Sequence, residues 1–196
     1  MCDRWKNRLN KILTSLYQNI LRIYIDEDTT ITDLLIVLDR DEDKIEDTLS
    51  FIEDCVNKFA CSKVSLENNK ITTVYYKNEL TNVKYFHLKP VIIPFNENGS
   101  IETLLMKAVC EKGENECRII EKANHFIDGM VDEGIALHYL NHNRLVNKAK
   151  FSSMIAVVNP DHSTSTLDNM LIHNEWNNSP IVYEYFKPIL DAIDIA

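Results

Sequence analysis

The sequence predicts an α/β protein of one domain spanning residues 1–196, with a helix-rich C-terminal third. Three observations predict it. A continuous apolar run, Leu34-Leu35-Ile36-Val37-Leu38, lacks alternation and fits a strand buried on both faces, as in a parallel sheet covered by helices. Apolar stripes at three- and four-residue spacing surround it, as amphipathic helices require. Glycine (4) and proline (5) are scarce, against roughly 14 and 10 at average usage. Few turn-formers argue against an all-β sandwich.

In chain order, Trp5, Leu9, Ile12, Leu13, Leu16 and Ile20 predict a helix over residues 3 to about 22. Arg4, Lys6, Arg8 and Lys11 crowd its first half, where the helix dipole disfavours cations. A solvated face is their ordinary role. The run at 34–38 is the first strand, and Ile45, Leu49, Ile52, Val56 and Phe59 mark a second helix over about 43–60. Strand, acidic turn and helix form a βα unit, whose loop lies where α/β sheets place ligands. Segments 62–67 and 70–77 alternate weakly and carry β-branched residues, so both read as strands turning at Asn68-Asn69. Val91 to Phe95 is a second apolar strand. Asn96 to Gly99 then turns, and Ser100 caps a helix from Ile101 to about Glu111. Helical spacing continues over 114–131, 144–158 and 180–194, with a Ser/Thr/Asp/His loop at 161–169.

Composition narrows the function. The chain holds 45% hydrophobic and 26% charged residues, which places it in the globular range. The net charge is −9. Duplex DNA binders are usually basic, because phosphate neutralisation supplies most non-specific affinity; contact with nucleic acid here needs a local basic patch or a bridging metal. No run reaches the ~18 apolar residues of a membrane span, so no membrane is expected. The five cysteines form no Cys-x-x-Cys pair and follow no signal peptide. That pattern fits a reducing cytoplasm. Cys110 and Cys117, seven apart, read as core residues on one helix face.

The chemistry-bearing residues gather after the first strand. In an extended segment, positions i and i+2 point the same way, so Asp39 and Asp41 aim two hard oxygen donors at one point. That suits magnesium, which keeps waters and takes other ligands from phosphate. Acids also commonly open helices, and the chain has 30 Asp and Glu residues, so the pair gains its weight from the strand before it. Glu102 occupies the matching place in the second strand–loop–helix unit. If the two strands are neighbours, it approaches the aspartates from the adjacent loop. Arg144, Lys148 and Lys150 form a basic segment in an acidic chain, and a lysine can meet a phosphate as a point charge. His138 and His142 are four apart, but residue 139 is Tyr, so the zinc-hydrolase signature is absent and a surface pair is expected. No Gly-x-Ser-x-Gly, Gly-x-Gly-x-x-Gly or P-loop occurs.

The segment Leu34 to Asp41 resembles the Asp-x-Asp strand of Toprim domains, found in topoisomerases, primases and the OLD nucleases. The strand Val91 to Phe95 leading into Gly99-Ser100-Ile101-Glu102, the segment Lys148-Ala149-Lys150-Phe151 and the tail Trp176 to Leu190 resemble an uncharacterised bacterial family of Toprim-like proteins. The similarity spans most of residues 34–192, with 1–30 as an N-terminal helix and lead-in. It implies a small parallel sheet flanked by helices and a magnesium-dependent (or manganese-dependent) phosphoryl-transfer site of nuclease type. Asp39, Asp41 and Glu102 would hold the metal, and Lys148 or Lys150 would meet the phosphate of a nucleic acid or other phosphate-containing substrate. The family's upstream glutamate has no match; Glu27 is the nearest acid, in the wrong context. A truncated or inactive chain is therefore one expectation, and a non-catalytic module binding a protein or nucleic-acid partner is the alternative.

Overall fold

The computed structural model describes residues 4–22, 31–163, 176 and 179–193. Glu27, residues 164–169 of the expected loop, Asn177 and Asn178 of the tail and the chain's first three residues lie outside this range. The described elements are helix α1 (Arg4–Leu16) with a π-helical turn (Tyr17–Leu21), strand β1 (Asp33–Asp39), α2 (Ile45–Val56), β2 (Thr72–Lys77), β3 (Val83–Ile93), α3 (Ile101–Cys110), α4 (Glu114–Asp132), α5 (Asn143–Val158) and α6 (Pro180–Ile193). The α/β class, with a small sheet flanked by helices and helices closing the chain, is as expected. Among the described residues no helix is long and apolar enough to cross a membrane.

Contacts group the chain into two compact units, one of residues 1–38, 43–92 and 189–196, the other of 39–42 and 93–188. In the first, the sheet has the order β1-β3-β2. β2 and β3 run antiparallel, pairing Thr72 with Leu88 through Lys77 with Val83. Along β1 and β3 the hydrogen bonds advance together, His87 N–H to Thr32 O and, just past the strand ends, Arg40 N–H to Ile93 O, so this pair is parallel. The sheet is therefore mixed. The expected burial of both faces of 34–38 is corrected: only Ile36 is buried, and Val37 is 43% exposed. β1 is an edge strand of a three-stranded sheet. The doubly buried run lies in central β3, where Val91, Ile92 and Ile93 are all buried.

Segment 62–67 is not a strand. Its backbone donors find side chains of α2 and of the residue just beyond it instead: Val64 N–H meets Asn57 Oδ1 and Leu66 N–H meets Glu53 Oε1. With those donors satisfied, the segment has no need of a sheet partner. The turn at Asn68-Asn69 is present, with Asn69 at φ +64° and the Asn68 amide bonding both the N–H and the C=O of Ile92. The core of this unit joins Leu13, Ile36, Ile52, Val74 and Phe86.

In the second unit α3, α4 and α5 enclose Leu105, Val109, Phe151, Met154 and Ile155. Cys110 ends α3 and Cys117 lies in the first turn of α4; a disulfide joins them, with Cα atoms 4.3 Å apart. This corrects the reading of both as core residues on one helix. Lys112 and Gly113 interrupt the helix, so seven residues span a turn. The bridge also removes one ground for a reducing compartment. His138 and His142 are both exposed, His138 in the turn after α4 and His142 just before α5.

Candidate functional site

β1 ends at Asp39, and the next residues turn sharply. Asp41 has φ +51° and exchanges two backbone hydrogen bonds with Gly99, at 2.6 and 2.7 Å. Gly99 itself sits at φ +148°, and an added Cβ would lie 2.6 Å from Thr103 Oγ1, so glycine is required there. This backbone clasp brings the loop after β1 against the loop before α3. Its consequence for the aspartates is direct. Asp41 has left-handed backbone, so the i, i+2 rule of an extended segment does not carry through it. Asp39 faces α3 instead, where its Oδ1 accepts from Ile101 N–H at 3.1 Å. A carboxylate on a first-turn N–H is favoured by the helix dipole.

Ser100 caps α3, and its N–H donates to Thr103 Oγ1 at 3.3 Å. Its hydroxyl donates to Glu102 Oε2 at 2.5 Å. Glu102 is only 5% exposed, and its other oxygen accepts from the Lys148 ammonium of α5. Lys148 remains 44% exposed at its side chain, so the pair has one buried partner and one open to water. Burial alone would raise the Glu102 carboxyl, but hydrogen bonds from Lys148 and Ser100 outweigh it and hold the group below its ordinary value. Asp39 moves the other way. Desolvation pushes its carboxyl up, the Ile101 bond opposes this, and the Glu102 charge adds to the rise, while Lys148 and Arg144 lower it. Because Asp39 is exposed as a residue, solvent screening weakens that rise.

Of the residues predicted from the sequence, Asp39, Glu102 and Lys148 come together from three separate stretches of chain. Arg144 acts on the same cluster electrostatically. Lys150 is placed elsewhere, in an ion pair with Asp128 of α4 at 2.7 Å. Ser100 was legible only as a helix cap; its bond to Glu102 was not. A signal for the buried acid existed, since Glu102, Met106 and Val109 share a helical stripe and all three are buried. An acid on an apolar stripe must find a partner.

Asp39 and Glu102 are hard oxygen donors, the kind a magnesium ion takes. Two carboxylates lie close enough for one to raise the other, and a divalent cation would offset that repulsion. Magnesium takes one or two carboxylates and completes its shell with water and phosphate. Among the described residues no three His, Cys, Asp or Glu side chains form a ready-made metal cage.

The structure thus defines an α/β protein with an acid–acid–lysine cluster just beyond a strand of a small mixed sheet. Residues 6–193 match a family described as a protein of unknown function (DUF3226), and the chain belongs to that family. No curated protein and no solved structure matches the chain.

Proposed function

We propose that the Asp39–Glu102–Lys148 cluster is a magnesium-dependent phosphoryl-transfer centre of Toprim type, acting on a nucleic acid or another phosphate-containing substrate. The observation that carries it is the convergence of these three side chains, with Glu102 and Lys148 46 residues apart and Asp39 bonded to a backbone 62 residues away. Asp39 and Glu102 would hold the cation. Bound there, magnesium, or manganese in its place, would polarise a phosphoryl oxygen and offset the charge that develops during in-line displacement. Lys148, half in water, supplies a positive charge that a phosphate can share with Glu102. The buried Ser100 hydroxyl fixes the Glu102 carboxylate in place. Lys150, held by Asp128, has no part in this proposal.

A second reading rests on one specific observation: both Glu102 oxygens are already engaged, by Lys148 and by Ser100. In that reading the ion pair is a scaffold element, and the protein is a non-catalytic module that binds a protein or nucleic-acid partner. A nuclease assay separates the two. Labelled single- and double-stranded DNA is incubated with the protein in magnesium or manganese. The catalytic reading expects cleavage that disappears in Asp39→Ala with the fold intact. Intact substrate at every metal concentration, in a protein that still binds the cation, favours the non-catalytic module.

A further inference from the structure

The four most exposed large apolar side chains among the described residues are Tyr139 (76%), Ile135 (64%), Val157 (61%) and Phe126 (60%). All lie on α4, in the turn after it, or on α5, within the second unit. Isolated exposed hydrophobes need no explanation, but exposed apolar side chains that share one groove mark an interaction surface. Phe126 and Val157 line one groove of about 780 Å³, together with Ile119, Ala123, Arg118 and Lys122.

The charges along α4 identify what fits. Arg118, Lys122, Phe126, Gly129 and Glu133 recur at three and four residues and so form one stripe. Glu133 still has helical geometry, at φ −74° and ψ −6°. The stripe is basic toward its N-terminal end, aromatic in the middle and acidic at its C-terminal end. Neither Arg118, Lys122 nor Glu133 forms an ion pair among the described residues. At Gly129 an added Cβ would meet nothing within 4 Å, which leaves room for an approaching side chain. Such a stripe complements itself when reversed. An antiparallel copy centred beside Phe126 places Arg118 opposite Glu133 of the second copy, twice by symmetry. It also places Lys122 opposite Gly129 of the second copy. A two-fold interface requires this self-complementarity.

We propose that the α4 face is a homodimer interface, with a second copy of this chain packed antiparallel across Phe126. Aromatic residues at the centre of a patch with charges at its rim have the anatomy of an interface core. The test is the oligomeric state of the full chain by sedimentation velocity, from micromolar to submillimolar concentration, with circular dichroism to confirm folding. The wild type is expected to dimerise, and Phe126→Asp to weaken the dimer at least about tenfold. Arg118→Glu should weaken it too, and Arg118→Glu combined with Glu133→Arg should restore it. A wild type that stays monomeric overturns the proposal. So does a dimer indifferent to Phe126→Asp, or one whose charge reversal is not rescued by the second substitution.

Discussion

Lys148→Met is expected to destabilise the protein by on the order of 3 kcal/mol at neutral pH, because it strands the Glu102 charge in the interior. The cost is asymmetric. Glu102 is 5% exposed, whereas the Lys148 side chain is 44% exposed and can hydrate on its own. Glu102→Gln should therefore cost clearly less than Lys148→Met, although both remove the same ion pair. The pH dependence follows from the direction of the shift. In the wild type the Glu102 carboxyl lies below its ordinary value of 4.5. Its stabilising contribution is thus full above that value and is lost as pH falls through the folded-state value. In Lys148→Met the burial that Lys148 opposed prevails and lifts the Glu102 carboxyl. The deficit of the variant should then be largest at neutral pH and shrink toward acid, as the folded protein takes up the proton. Urea unfolding from roughly pH 8 to pH 4 measures this. An equal deficit at every pH would mean that the ion pair is not what Lys148 contributes.

Phe151→Ala is expected to cost roughly 3–5 kcal/mol, the usual penalty for removing a buried phenyl ring. Phe151 is 4% exposed and lies three residues beyond Lys148 on α5, with its ring 6.5 Å from that of Trp176. Its loss opens a cavity under the helix that carries the site lysine, so the Lys148–Glu102 pair should loosen along with the fold. Tyr183→Ala serves as the contrast. Tyr183 is 56% exposed, and its truncation should fall within about 0.5 kcal/mol. Denaturant titration of both variants reads the difference. A loss below about 1 kcal/mol for Phe151→Ala would place the core of this unit elsewhere.

What the sequence made legible is unevenly spread, and the reasons are physical. Helices α2 to α6 followed from apolar periodicity to within a few residues, because amphipathic spacing is a local property. β3 was only half seen. Its Val91–Ile93 end is a plain apolar run, whereas Val83 to Leu88 alternates beneath exposed Val83 and Tyr85. Segment 62–67 carried a strand pattern, yet the side chains of Asn57 and Glu53 took its backbone donors, a tertiary fact no local pattern reveals. At the site, the position of Asp39 and Glu102 after apolar strands made their proximity legible. For Asp41 the left-handed backbone at that residue ends the alternation on which the expectation rested. Lys148 and Lys150 were indistinguishable by composition. Two residues apart on a helix they face different ways, one toward Glu102 and the other toward Asp128.

The central claim is that Asp39 and Glu102 hold a divalent cation, and calorimetric titration of magnesium and manganese into wild type, Asp39→Ala and Asp41→Ala tests it most directly. The account predicts millimolar or tighter binding by the wild type that weakens as pH falls through the raised Asp39 range, since the proton and the cation compete for one carboxylate. Binding should be lost in Asp39→Ala. No binding heat from the wild type, or unchanged affinity in a folded Asp39→Ala, would contradict the account.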